Sequence, residues 1–348
     1  MISDIAISHF RCFEQITIPD CRRINVLVGD NGSGKTTLLE ALFLALSGGS
    51  EAGLRLRAHR GFPSLFNATP RDIEEAIWRD YFYKLDWSHD IVIGLAGHGA
   101  AARNLRISRG RGQLRLPIGS VAEPVSSAPL TLTWTDADGQ EFSATPEVKS
   151  QGGLLLPSSG EDLPDFFHLP AGLPLSAVEI ATHFSALRRA RRERAFIKAM
   201  AEEYEWIRDL SIEVAGGSPQ LFATVAGIDV RIPLASVSGG INRMVGLLAI
   251  IASHTGSVVL VDEIESGLYH RHQPGLWRSV LRFARTYDCQ LFVTTHSEEW
   301  LEALVTAAGD ALDDIALWRL ERGANGPVVR QFSGTSLRAG LETGGELR

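Results

Sequence analysis

The chain has 348 residues, 45% of them hydrophobic and 22% charged, an ordinary globular composition with enough apolar material for a sizeable core. Its formal net charge of −7 gives no support to a whole-molecule attraction to nucleic acid or anionic lipid; only a local basic face could supply one. Three cysteines, Cys12, Cys21 and Cys289, lack paired metal-ligand spacing and read as free thiols of a reducing cytosol.

The first residues, MISDIAISHFRCFEQ, show no basic segment followed by an apolar stretch, so no signal peptide is expected. Alternation over 2–10 predicts a strand, and the apolar run 24–28 a second one that ends at a glycine. A glycine-rich loop follows, then a helix from Lys35 through TTLLEALFLALS that Gly48 and Gly49 stop. Between 51 and 233 the periodicity is mixed: a helical piece at 70–84, strand-like pieces at 90–95, 105–107 and 129–135, and a turn at 136–139. Glycine, proline and serine thicken over 116–174, where exposed loops are expected. One long helix is predicted over 176–209, then short antiparallel strands at 211–214, 221–225 and 230–232.

From Ser238 the chain returns to alternating helix and strand. A helix follows Ser238-Gly239-Gly240, and 257–261 is an apolar run suited to a parallel sheet buried on both faces. Helix 274–286, strand 290–294, helix 298–307 and strand 315–319 complete it. The longest apolar stretch, 244–252, is far shorter than the roughly 20 residues a membrane helix needs, so a soluble cytoplasmic protein is expected. The organisation predicted is one domain, 1–348. Residues 1–50 and 234–330 form a sheet-based core, 51–233 an inserted β and helical lid or arm, and 335–348 a polar, partly ordered tail.

Four motifs carry chemistry. Gly29-Asp30-Asn31-Gly32-Ser33-Gly34-Lys35-Thr36 fits the phosphate-loop pattern between a strand and a helix. Its glycines let backbone N–H groups turn inward at phosphates, and the helix start adds partial positive charge. Lys35 would reach the β- and γ-phosphates, the Thr36 hydroxyl would ligate Mg²⁺, and Thr37 continues the loop into the helix. Asp262 and Glu263 end the strand 257–261, Asp262 placed for Mg²⁺ and Glu263 as general base on a water. Ser238-Gly239-Gly240 opens a helix, either as an anion-binding turn or only as an N-cap. His296, in Thr294-Thr295-His296-Ser297, would sense the γ-phosphate or else serve the structure alone.

In this order, GDNGSGKT, SVSGG, LVDEIESGL and TTHS resemble the Walker A, signature, Walker B with D-loop, and H-loop of ABC-type ATPase heads. With the N-terminal HFRCFE they are similar to the soluble branch that includes RecF, SMC and OLD-family proteins, nearest the compact "AAA family ATPase" relatives of OLD. The resemblance covers about 1–48 and 176–330. It implies an α/β P-loop NTPase fold: an ABC-ATPase-like head with a mixed or parallel sheet, an antiparallel β subdomain and a helical insertion. It also implies ATP with Mg²⁺, and hydrolysis of the β–γ phosphoanhydride after two copies pair around nucleotide. Lys35, Thr36, Asp262, Glu263 and His296 would then act on their own subunit's ATP, and Ser238, Gly239 and Gly240 on the partner's. The resemblance further brings Arg11 near the nucleotide.

The glutamine of that family that contacts Mg²⁺ is not located; Gln113, Gln140 and Gln151 all fall in segments of poor periodicity. The fifty or so residues after TTHS are too few for a Toprim nuclease domain. The expected role is a dimeric ATP switch acting with DNA or with a separately encoded nuclease or other effector, in DNA repair or anti-phage defence, and with no membrane partner. The alternatives are an ABC transporter's ATP-binding subunit and a nucleotide-binding scaffold with little turnover. A basic run, Arg188, Arg189, Arg191, Arg192, Arg194 and Lys198, is either a DNA-contacting patch or a solvated face paired with Glu193, Glu202 and Glu203.

Overall fold

Strand β1 (Ile2–Phe10) turns at Arg11 into β2 (Phe13–Ile18), and the buried β3 (Ile24–Val28) leads through the glycine-rich loop into α1 (Lys35–Leu46) and then α2 (Glu51–His59). The computed structural model describes residues 1–62, 78–110, 130–148, 154–155, 163–309, 311–323 and 326–342. By its internal contacts the chain forms two units, Met1–Asp20 with Asn31–Pro164 and Leu320–Val329, and Cys21–Asp30 with Asp165–Arg319 and Arg330–Arg348.

The first unit is built on an antiparallel sheet of six strands in the order β2-β1-β4-β5-β6-β7, with β4 (Ile91–Gly97), β5 (Arg103–Arg109), β6 (Leu130–Asp136) and β7 (Glu141–Ala144). Alternation governs it: Ile91, Ile93, Leu95, Leu105, Ile107, Leu132 and Trp134 are buried, and intervening residues are half-buried or exposed. Helix α1 packs against β4 and β5, and the Trp134 indole N–H donates to the Leu44 carbonyl at 3.2 Å. A two-stranded ribbon, β8 (Glu147–Val148) with β9 (Leu154–Leu155), follows. Most of the predicted helix 70–84 lies outside the described residues; the rest forms the single turns Arg79–Tyr81 and Tyr83–Leu85.

In the second unit, β10 (Phe166–Leu169) precedes α3 (Ala177–Arg189) and α4 (Glu193–Glu203). Then come β11 (Ile207–Ala215), β12 (Ser218–Val225) and β13 (Ile232–Pro233), an antiparallel trio, and the short α5 (Leu234–Val237). Helix α6 (Gly239–Ser253), β14 (Val258–Val261), α7 (Gln273–Thr286), β15 (Gln290–Thr294), α8 (Glu298–Ala308), β16 (Ile315–Gly323), β17 (Gly326–Ser333) and α9 (Gly334–Glu342) complete the chain, with residues 320–329 of β16 and β17 counted to the first unit. The sheet order is β10-β14-β15-β3-β16-β17, with parallel pairing from β10 through β16. Every residue of β3, β14 and β15 is buried, as the uninterrupted apolar runs require for a sheet covered on both faces. Among the described residues no helix is long and apolar enough to cross a membrane.

Two expectations are corrected. The predicted helix 176–209 is two helices and the start of a strand. The break at Ala190–Arg192 carries neither glycine nor proline: Arg191 takes a left-handed conformation, φ 57, and its N–H and that of Arg192 bond back to the carbonyls of Arg188 and Leu187. The expected loop region 116–174 contains β10, a short strand between Pro164 and Pro170 whose partner β14 lies some ninety residues on. The start of the expected tail is helix α9, pinned by the fully buried Leu337.

Candidate functional site

Parallel pairing sets the arrangement. Leu27 of β3 lies opposite Thr294 of β15, and Val293 lies opposite Val261 of β14, so all three strands end on one edge of one sheet. The Thr295 N–H donates to the Leu27 carbonyl at 3.1 Å, tying the start of the TTHS segment to the strand that feeds the phosphate loop. Gly29, Asp262, Glu263 and His296 all leave the sheet at that edge, where open α/β sheets carry their ligands.

Gly29, Gly32 and Gly34 have φ of 134, 76 and 109, a region L side chains rarely enter. A Cβ at Gly34 would stand 2.6 Å from the Phe13 ring and 3.1 Å from the Cys12 sulfur, so only glycine lets the start of α1 approach β2. A Cβ at Gly32 would meet nothing, and Asn31 beside it is exposed. Ser33 is 1% exposed and its hydroxyl oxygen is buried with no hydrogen-bond partner among the described residues, an orphan polar atom inside the loop. Lys35 and Thr37 are buried and Thr36 is half-buried. The Thr37 hydroxyl bonds the Cys12 thiol, whose pKa is pushed up chiefly by burial. All three cysteines are free thiols, as expected.

Four residues from Thr36, Glu40 is buried on α1 and accepts two hydrogen bonds from Arg60, at 2.6 and 2.9 Å, and an ion pair from Arg11 at 3.3 Å. The Arg11 guanidinium also lies 4.6 Å from the centre of the Tyr81 ring, and its side chain is 8% exposed. Arg11 is thus engaged with the phosphate-loop helix itself. Glu40 was not legible in the sequence, because its role depends on two arginines 20 and 29 positions away.

At the strand ends the charges interlock. Asp262 is 6% exposed; its N–H donates to the Leu169 carbonyl of β10, and its Oδ1 accepts from the Thr294 hydroxyl at 2.6 Å. The same hydroxyl oxygen accepts from the Glu263 N–H at 2.8 Å, so one buried threonine orients both acids. Glu263 has φ 48, unusual for a residue with a Cβ, and its Oε2 accepts from Ser266 at 3.1 Å. Glu265 accepts the His296 N–H at 2.7 Å while its Oε2 is buried and unpartnered. His296 is half-buried, directly before α8, which Ser297 caps by accepting the Trp300 N–H at 3.3 Å.

The signature segment divides. Ser238 stands at the N-cap position of α6 yet makes no capping bond, and both it and Gly239 are exposed. Gly240 is buried, and a Cβ there would collide with the Gly267 carbonyl. Arg243, one turn on, donates to the carbonyls of Asp262 and Glu263 at 2.9 and 3.1 Å, joining the signature helix to the acidic strand end. Burial lowers its pKa, opposed by the carboxylates of Glu263, Asp262 and Glu265. Thr294, Glu265 and Arg243 lie inside or beside motifs that sequence reading singled out, but their tasks depend on partners 19 to 32 residues away. Of the glutamines, Gln113 and Gln151 lie outside the described residues, and Gln140 is exposed in the β6–β7 turn.

A family model described as "AAA domain" matches residues 4–151, and another, described as "AAA domain, putative AbiEii toxin, Type IV TA system", matches residues 79–302. An "ATP/GTP phosphatase" of Helicobacter pylori is 21% identical over 97% of this chain and 97% of its own length. A "DNA replication and repair protein RecF" of Idiomarina loihiensis is 49% identical, over 12% of each chain. An SmcHead bound to the C-winged helix domain of ScpA superposes with TM-score 0.53 at 12% identity, covering 95% of this chain and 98% of that one. An Smc head with an extended coiled coil, bound to the C-terminal domain of ScpA derived from Pyrococcus furiosus, gives TM-score 0.51 at 11% identity over 98% of each. The fold is therefore that of α/β P-loop ATPases and resembles SMC heads. Since the longer match spans more than half of its residues, this protein belongs to the AAA-domain family described as "AAA domain, putative AbiEii toxin, Type IV TA system".

Proposed function

We propose that this protein binds ATP at the phosphate loop, hydrolyses its β–γ bond, and pairs with a second copy around the nucleotide. The observation that carries the reading is the common sheet edge at which β3, β14 and β15 end, where Gly29 at the start of the loop, the acidic pair and His296 leave the sheet. The left-handed glycines and the orphan Ser33 hydroxyl suit a loop whose missing partner is an anion.

In this reading Lys35 binds the β- and γ-phosphates. The Thr36 hydroxyl and the Asp262 carboxylate are hard oxygen donors that would hold Mg²⁺, which when bound neutralises charge on the phosphates. Glu263 takes a proton from the attacking water, and its left-handed backbone, held by Thr294 and Ser266, fixes where its carboxylate points. His296 contacts the γ-phosphate. Exposed Ser238 and Gly239, free of capping duty, suit contact with nucleotide on a second copy. The names of the Helicobacter pylori and RecF relatives favour nucleotide hydrolysis and a DNA-linked role; a link to a separate effector is part of the same proposal. Placement beside the OLD-related ATPases, in repair or defence, belongs to the same proposal and rests on motif order.

The test measures ATP binding, turnover and sedimentation together. Lys35→Ala should lose ATP binding. Glu263→Gln should keep it, lose turnover by about 10²–10⁴-fold and accumulate as an ATP-bound dimer. Unchanged hydrolysis in Glu263→Gln would remove that residue as base, and normal affinity in Lys35→Ala would remove the phosphate-loop assignment.

A further inference from the structure

Residues 188–198 hold six cations and one acid in a chain whose net charge is −7, so the cluster is not a by-product of composition. It forms a knuckle between α3 and α4, on which Arg188, Arg189, Arg191, Arg194 and Lys198 are exposed. The acids that could neutralise it are turned elsewhere. Glu202 pairs with Arg282 at 3.3 Å, and Glu203 with His272 at 2.8 Å and Arg278 at 3.8 Å, partners on α7 and in the turn before it. Glu193 is half-buried, and among the described residues it forms no ion pair with these arginines.

Folding does not account for the placement. Arg188 and Arg189 close α3, where cations complement the helix dipole, but Arg194 lies in the first turn of α4, where a cation is disfavoured. Arg191 occupies the left-handed position after the helix end that glycine fills at least cost. Arg192, by contrast, is structural: it donates to the Ala252 carbonyl at 2.9 Å and the Thr255 hydroxyl at 3.1 Å and lies 4.6 Å from the Tyr287 ring centre. It fixes the turn on the end of α6, while Phe184 and Phe196, both fully buried, clamp the two helices beneath. The remaining cations are therefore presented on a rigid support.

We infer that this knuckle is a docking surface for the phosphate backbone of nucleic acid, with Arg188, Arg191 and Arg194 as its principal contacts. Guanidinium forks match phosphate oxygens bidentately, and no sequence preference is required of such a surface. The inference deepens the DNA-linked part of the proposed function and is independent of the ATPase chemistry.

The experiment is fluorescence anisotropy of labelled 30-mer duplex and single-stranded DNA across a salt series, with thermal melting and ATP turnover without DNA recorded for each variant. Arg191→Gly should melt at the same temperature as the parent or higher, yet bind DNA more weakly, with the salt slope on duplex reduced by about 0.9. Arg188→Glu with Arg191→Glu and Arg194→Glu should lower affinity at least tenfold and leave basal turnover intact. Unchanged affinity and salt slope in both variants overturns the inference, as does a parent protein that binds vesicles containing anionic lipid but not DNA. If DNA binding depends on the knuckle while the parent hydrolyses no ATP, the inference stands and the ATPase reading falls; the reverse result separates them the other way.

Discussion

Of the charged residues that take the left-handed region where glycine is usual, two bear comparison: Glu263 after β14, and Arg191 after α3. Each such residue costs of order 1–2 kcal/mol. The surroundings differ. Glu263 is held by the Thr294 hydroxyl, by Ser266 on its carboxylate and by Arg243 on its carbonyl, with Asp262 fixed beside it. Arg191 is held through its backbone, by its own N–H on the Arg188 carbonyl and that of Arg192 on the Leu187 carbonyl, and its side chain reaches solvent. The first turn is over-determined, which suits a group that must point in one direction at a reacting water. The second is backbone-determined with an adaptable side chain, which suits contact with a regular, repetitive polyanion.

The largest effect that could break this contrast comes from Thr294→Val. Valine keeps the shape and deletes the hydroxyl, removing one donor from the buried Asp262 carboxylate and the acceptor of the Glu263 N–H. A stability loss of about 3 kcal/mol is expected by denaturant titration, because unmade buried hydrogen bonds carry their full desolvation cost. Turnover should fall more than ATP affinity, and Thr294→Ser should restore both. If Thr294→Val hydrolyses ATP normally, Glu263 is not oriented from its backbone, and the distinction between the turns disappears.

Gly240→Ala probes the same region from the signature helix. The added methyl would drive into the Gly267 carbonyl, which is backbone and can yield only if the loop after Glu263 moves. Overpacking of this kind costs about 1–3 kcal/mol. Turnover should drop with stability, whereas Gly239→Ala, with open space around it, should change stability little. Equal melting temperatures for the two alanine variants would show the loop to be compliant rather than fixed.

Much of the candidate site was legible because the residues that form it are local in sequence. A phosphate loop is eight consecutive residues between a strand and a helix, and β14 and β15 announce themselves as apolar runs ending in polar residues. What escaped depends on distance in sequence. β10 is four residues between prolines, with no periodicity to measure, and exists because β14 offers it an edge. The helix break at Arg191 escaped because the expected stop signals, glycine or proline, are missing where function is proposed to require arginine. Thr294, Glu265, Arg243 and Glu40 acquire their tasks from residues that only folding brings close.

The smallest effect concerns the other end of the helix that carries the knuckle. Ser176 and Glu179 form a capping box on α3: the Glu179 N–H donates to the serine oxygen, and the Ser176 N–H donates to the Glu179 carboxylate at 2.8 Å. The Ser176 hydroxyl, which donates to the same carboxylate at 2.7 Å, and then the Ser176 N–H hold the Glu179 pKa below the usual carboxylate range. A depressed folded-state pKa contributes stability above the unfolded value of about 4.3, lost as pH falls through the lower folded value. Ser176→Ala should therefore cost about 1 kcal/mol at pH 7 by denaturant titration, with the gap to the parent narrowing on acidification. DNA affinity should not change, since the knuckle is fixed by Arg192 and the buried phenylalanines and not by this cap. A loss of DNA binding in Ser176→Ala comparable to that in Arg191→Gly would mean that the knuckle depends on the whole helix, and that its rigidity does not come from the end of α6.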